Sequence, residues 1–305
     1  MRKILVLVLF SGSLFGSEDW YTKVKDFCNR KENGVGLAWL KVSPGARGAV
    51  IGDGYLSVVR GPTSMWWNPA GLARSDGLQA SFTHTQHFLG IRNEFVGLSN
   101  KRTNNAYGVA MSGAFINGIE LRDERQDSLG EFSAYDFSII GSYARSFSEG
   151  GRTSNFAIGG SVKGVYEQIY IYKLSSWLLD FGMTYTPHTG VWLAATINNL
   201  GPKLKFESKE FKTPFAWKVG ISYEGTQFLT SIGVNKYKDT ILRGGIGLEY
   251  KIGPYLFLRA GYKIRYDTET MSLGFGVRWK GFSIDYAFKP YGLGLGATHI
   301  FTITK

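Results

Sequence analysis

The chain has 305 residues, 44% hydrophobic and 15% aromatic, with 40 Gly against 8 Pro. This excludes a disordered chain and a collagen-like repeat, and the single Cys28 excludes a disulfide framework. The formal net charge of +11 is spread singly among strand-like segments, with no basic cluster and no reading helix. Nucleic acid is therefore excluded as a partner, and an anionic lipid or sugar surface suits the charge better.

In chain order, residues 1–17 read as a cleaved signal peptide. Arg2 and Lys3 precede the apolar run 4–10, and Ser11, Gly12, Ser13, Gly16 and Ser17 follow. The run is too short to cross a bilayer as a helix. Residues 18–77 differ in kind. Trp20, Val24, Phe27 and Cys28 recur at helical spacing, which predicts a short amphipathic helix over 18–31. A stiff stretch rich in Gly, Pro and Trp comes next.

From Leu78 to the last residue the pattern alternates with period two. Residues 214–224 set Phe215, Trp217, Val219, Ile221 and Tyr223 against Ala216, Lys218, Gly220, Ser222 and Glu224. Residues 270–279 and 281–289 behave in the same way, and Lys280–Gly281 between them reads as a two-residue hairpin turn. A second such turn is predicted at Glu224–Gly225. The count is about fourteen strands of roughly ten residues, the length that crosses a bilayer when tilted. Connections alternate between short turns and the longer segments 116–131, 167–175 and 199–213. The predicted fold class is all-β: a single antiparallel transmembrane β-barrel of about fourteen strands over 78–305, preceded by an N-terminal helix and hatch segment over 18–77. Tyr223, Tyr250, Tyr266 and Trp279, near strand ends, are expected in an interfacial girdle.

The polar faces carry Asp136, Asp180, Lys218, Arg243, Glu249, Arg259, Lys263, Arg278 and Asp285, expected as inward-facing charges that pair along the lumen wall. His84 and His87 fall on opposite faces of one strand and would not share a metal. Neither a Gly-x-Ser-x-Gly elbow nor a His-Glu-x-x-His motif, P-loop or CxxC pair occurs. The expectation is no enzyme, no cofactor and no metal site.

The stretch 37–73, LAWLKVSPGARGAVIGDGYLSVVRGPTSMWWNPAGLA, resembles the PorV/PorQ branch of the FadL-like outer-membrane barrels. The matching residues are Leu40, Lys41, Pro44–Arg47, Gly52, Gly54, Tyr55 and Trp67–Ala73; Asp53 and Val50–Ile51 depart from the pattern. The resemblance implies that this segment folds back into the periplasmic mouth as a hatch, with Arg47, Trp66, Trp67, Asn68, Pro69, Ala70 and Gly71 as its motif. It leaves Arg47 to pair with Asp136, Asp180 or Glu249. It also implies the outer membrane of a diderm bacterium as the location. The leading function is passage or binding of small hydrophobic molecules, with Gly159–Gly160 or Gly244–Gly245 as candidate defects in the wall. The alternatives are an accessory barrel of a protein export or surface-attachment system of type IX-like kind, and an open diffusion pore. Expected partners are outer-membrane lipid and either a hydrophobic small-molecule ligand or an export-machinery protein, around a monomer.

Overall fold

The computed structural model describes residues 35–123, 127–148, 155–206 and 209–305. The expected signal peptide and the 18–31 helix lie outside the described residues.

Alternation produces strands almost everywhere it occurs. In chain order they are β1 (Leu78–Gln86), β2 (Arg92–Arg102), β3 (Asn105–Arg122), β4 (Ser128–Ser148), β5 (Asn155–Ile169), β6 (Tyr172–Thr186), β7 (Val191–Leu200), β8 (Leu204–Phe206) and β9 (Lys209–Phe211). They continue as β10 (Ala216–Glu224), β11 (Phe228–Tyr237), β12 (Arg243–Ile252), β13 (Leu256–Ile264), β14 (Met271–Trp279), β15 (Phe282–Pro290) and β16 (Ala297–Thr304). Fourteen of them pair with their chain neighbours, β7 with β10, and β16 returns to pair antiparallel with β1, so the barrel is closed. β8 and β9 form a separate two-stranded ribbon in the β7–β10 connection. The protein is therefore all-β, and closure leaves no unpaired sheet edge.

The apolar row of each strand faces outward. On β10, Trp217, Val219, Ile221 and Tyr223 are 40–54% exposed, while Ala216, Lys218, Gly220 and Ser222 are buried inside. β14 repeats this with Met271, Leu273, Phe275, Val277 and Trp279 outside. An apolar belt continuing round the barrel exceeds what water-soluble surfaces carry and matches the lipid-facing band of a membrane barrel. No helix among the described residues is long and apolar enough to cross a membrane; strands do the crossing.

The two rims differ. Connections 103–104, 187–190, 225–227, 253–255 and 280–281 lie at one end, here the turn rim; 87–91, 201–215, 238–242, 265–270 and 291–296 lie at the other, the loop rim. Lys280 and Gly281 both have positive φ (47° and 85°), as a tight primed hairpin turn requires. The predicted Glu224–Gly225 turn is displaced. Gly225 N donates to the Phe228 carbonyl at 2.8 Å, so Thr226–Gln227 make the bend. A two-residue slip keeps every side chain on its face, so alternation could not detect it.

Two further expectations are corrected. Segments 116–131 and 167–175 are not simple loops: β3 and β4 run on as 18- and 21-residue strands past a bulge between Ile116 and Ile119, and β5 and β6 reach 15 residues each. The wall is raised on that side of the loop rim. Tyr266 does not join the girdle. Arg265, at φ 64°, turns the chain, and the Tyr266 hydroxyl points inward to accept from Asn235 Nδ2 at 2.8 Å.

Candidate functional site

Residues 35–77 fill the lumen from rim to rim. At the loop rim, Gly36 N donates to the Lys212 carbonyl (3.1 Å) and Lys41 pairs with Asp239. The chain descends through a 3-10 turn, Ala38–Lys41, and a short helix, Ala46–Ile51. A second 3-10 turn, Gly52–Ser57, leads to the helical turn Ser64–Trp67 and then to Pro69–Arg74. It leaves at the turn rim, where Arg60 and Arg74 hold Glu224 at 2.8 and 3.4 Å. The hatch is therefore a full-height filling, not a cover confined to one mouth.

Two features seat it. The wall is bare where the hatch backbone comes closest: a Cβ on Gly247 or Gly261 would overlap the carbonyl of Ile51 or Val50. The absence of side chains allows this approach. Charges supply the second. Arg47 grips Glu249 with two hydrogen bonds, 2.8 and 3.0 Å, and Glu249 also accepts from Arg259 Nε at 2.6 Å. Arg259 then reaches Asp285 at 2.6 Å. Burial alone would lower the Arg47 pKa, but Glu249 outweighs it and holds the guanidinium firmly charged. Burial pushes the Asp53 carboxyl up, against the attraction of Lys263 and Lys218.

The remaining lumen charges divide among several partners. Asp180 pairs with Lys163 (2.5 Å) and accepts from the Asn199 backbone N–H (2.8 Å), at an irregular step in the β6–β7 pairing. Asp136 lies across from Glu167 in the β4–β5 register, so neither Asp136 nor Asp180 meets Arg47. Lys218 is buried near the Trp67 and Tyr237 rings, 5.7 and 5.4 Å from their centroids. Arg243 pairs with Asp267 (3.4 Å), Lys263 with Glu269, and Arg278 lies over the Phe257 ring at 4.4 Å. The expected pairing along the lumen wall is thus divided among several local clusters. Glu224, Lys163, Asp53 and Glu269 are not among the lumen charges expected from the sequence. Glu224 already stood on the inward row of its segment, and Asp53 already departed from the family-like pattern.

The hatch motif has a specific position. Trp67 Nε1 donates to the Pro44 carbonyl (2.8 Å) and its ring meets Tyr55 edge-on at 5.3 Å, tying the two halves of the hatch together. Trp66 stacks obliquely on Trp39 at 5.8 Å. Asn68 Oδ1 accepts from Ala70 N (3.1 Å), while Nδ2 donates to the carbonyls of Leu56 (3.0 Å) and of wall residue Met183 (3.3 Å). Gly71 lies so close to Val59 that a Cβ would sit 2.6 Å from its carbonyl oxygen.

One row of the wall runs Gly159–Gly182–Thr196–Lys218 across β5, β6, β7 and β10. Behind it the motif is laid out in matching order: Pro69 against Gly159, Asn68 against Gly182, Trp67 beside Lys218. In front of it, on the outer face, is an open apolar groove of about 810 Å³, lined by Tyr143, Phe147, Ile158, Phe181, Met183, Ile197, Trp217 and Val219. Gly159, Gly160 and Gly182 lie in that lining too. At this place glycine backbone, with no side-chain layer, separates the belt surface from Asn68 and Pro69. The ladder is nevertheless continuous through Gly159–Gly160 and through Gly244–Gly245. Neither pair is a break in the wall; Gly159 seats the hatch, and Gly245 faces Asp53.

No protein-family model matches the chain, and no curated protein matches it. Solved structures do. The toluene transporter TodX of Pseudomonas putida aligns at 12% identity over 85% of this chain and 94% of its own, with a TM-score of 0.61. The monoaromatic hydrocarbon channel CymD aligns at 14% over 89% and 98%, TM-score 0.59. A FadL homologue from Pseudomonas aeruginosa aligns at 11% over 86% and 97%, TM-score 0.56. The fold is thus that of the FadL-like channel barrels.

Proposed function

We propose that this chain is an outer-membrane barrel that exchanges small hydrophobic molecules between the bilayer and its lumen. The observation that carries the reading is the groove, apolar and open to the lipid-facing surface, with a floor of glycines and the Asn68–Pro69 turn directly behind it. An apolar solute dissolved in the bilayer meets a site there whose lining is apolar apart from Arg145, Thr196 and Lys218. A hatch that fills the lumen argues against free diffusion of ions and water. The fold likeness to channels named for toluene and monoaromatic hydrocarbons supports the same class of solute.

A second reading, the accessory barrel of a protein export system, draws on the resemblance of residues 37–73 and on the raised wall at β3–β6. There Leu129 and Ile171 stand 61% and 66% exposed, a grip for a protein.

Photolabelling with a small aromatic diazirine in reconstituted membranes separates the two. Label concentrated on peptides containing 143–147, 158–160, 181–183 and 195–197, and displaced by excess toluene, is the expected result. Uniform labelling of the whole belt contradicts the groove as a binding site.

A further inference from the structure

The outer face of the barrel changes character at the seam where β16 meets β1. On its outward row His84 Nδ1 lies 2.7 Å from Glu94 Oε1, with the two side chains 35% and 34% exposed. That row runs into the belt on either side: Phe301, Tyr286 and Phe275 one way, Gly113 and Phe137 the other. The next row toward the loop rim sets Gln86 between His299 and Arg92, flanked in turn by Phe288 and Phe115. Arg92 is exposed. Ionisable groups thus stand at the height of the belt, where lipid chains offer them no partner and charge is costly.

Directly above, the order is inverted. Connections 87–91 and 291–296 close the loop rim over this arc and touch through the Phe88 and Tyr291 rings, 5.0 Å apart. Their tips carry Leu89 and Leu293, 51% and 83% exposed, both at positive φ (59° and 62°). Leucine rarely adopts that backbone. Strain that holds an apolar side chain away from the fold marks a contact surface rather than a packing need. Lipid would suit the reverse arrangement, apolar at belt height and polar at the rim; a protein face can meet both. The patch carries charge of both signs, so it can complement a copy of itself. Arg92 and Glu94 are two residues apart on β2, and strand tilt offsets them sideways as well as in height. A two-fold axis parallel to the barrel axis and passing between them turns Arg92 of each copy toward Glu94 of the other. An anionic lipid head would meet the Glu94 carboxylate there, which disfavours it.

We infer that the β16–β1–β2 face is the interface of a homodimer in the membrane, in place of the monomer expected from the sequence. Arg92–Glu94 pairs join the copies, and Leu89 and Leu293 pack at the top of the contact. None of these residues lines the lateral groove, so the inference does not rest on the groove's role.

The test uses the full-length protein with Cys28→Ser, which removes the single native thiol. Phe82→Cys and Val96→Cys, at positions 47% and 49% exposed on this face, should each cross-link to themselves in native membranes through a short bis-maleimide. Ile232→Cys, at a position 54% exposed on β11, should not. Light scattering of the wild type in a maltoside detergent should give the protein mass of two chains. Glu94→Arg sets like charges against each other across the axis, and should lower the dimer fraction at fixed concentration by at least about tenfold. The compact form should persist on unheated gels. Arg92→Glu should act in the same way, and Arg92→Glu/Glu94→Arg, which restores opposite charges in exchanged places, should recover the dimer. A role confined to one chain would not be rescued by that exchange. One chain per particle with no cross-link in membranes, equal cross-linking at all three thiols, or a dimer insensitive to every charge change overturns the inference. Cross-links from Phe82→Cys to a different protein overturn the second copy as the occupant.

Discussion

At Gly261 one methyl group is enough to collide with the hatch, because the Val50 carbonyl occupies the space a Cβ would need. At Gly164, on the outward row of β5, the same methyl meets nothing within 4 Å. Gly261→Ala should therefore destabilise the protein by about 1–3 kcal/mol, the ordinary cost of overpacking. Gly164→Ala should be close to neutral. Thermal unfolding in detergent, followed by loss of the compact form on unheated gels, compares them; equal stabilities would mean that the hatch is not seated against β13. This residue-level fit was only half legible in the sequence. The rigidity of Trp66–Gly71 is written in residue types, since Pro69 fixes its own φ and Asn68 bonds locally. The glycine seats are not, because an isolated strand glycine reads equally as a bend, a bulge or a close approach. On sequence alone Gly159–Gly160 and Gly244–Gly245 are candidate wall defects, yet Gly159 and Gly245 both face hatch backbone. Arg47 had three candidate carboxylates; only a three-dimensional register puts Glu249 within reach and gives Asp180 to Lys163.

At the scale of the element, period-two alternation located all fourteen barrel strands because one face meets lipid and the other a filled lumen. Where that contrast fades, so did the reading. Beyond the belt, β3–β6 have no lipid to face, and residues such as Glu120, Arg122 and Glu131 break the alternation although the ladder continues. The loop-rim elements also carry a titratable contact. His87, in the β1–β2 connection, bonds through Nδ1 to Thr298 Oγ1 at 2.9 Å. Burial, helped by the Lys289 charge, holds its pKa down at about 4. The folded protein therefore prefers the neutral imidazole. The unfolded chain binds the proton from about pH 6.5 downward, so stability is fully present above that value and falls as pH drops through the interval to about 4. The hydrogen-exchange protection factors of residues 87–91, relative to the unstructured rate at each pH, should fall across this window in the wild type. In His87→Gln that fall should be largely absent. An identical pH profile in the two proteins would show that His87 is not held neutral.

Over the whole molecule the usual arrangement is inverted. The largest apolar surface faces outward, and the interior holds charges that survive burial because they are paired, as in Arg47–Glu249–Arg259–Asp285. The barrel and its outward belt were legible from composition and periodicity, whereas the inserted segment was implied only by the resemblance of residues 37–73. That the segment spans the lumen from Lys212 to Glu224 was not legible, since hatch-to-wall contacts join residues far apart in the chain and leave no local pattern. The central claim is that apolar solutes exchange through the groove in front of Asn68 and Pro69. The most direct measurement is toluene uptake by proteoliposomes carrying wild type, Ala195→Trp or Ala260→Trp. Ala195 lines the groove, whereas Ala260 lies on the exposed outer face of β13, away from it. The account predicts uptake reduced by at least about tenfold in Ala195→Trp, as expected when a filled apolar site loses a few kcal/mol of binding, and unchanged in Ala260→Trp. Equal uptake by all three proteins would contradict it.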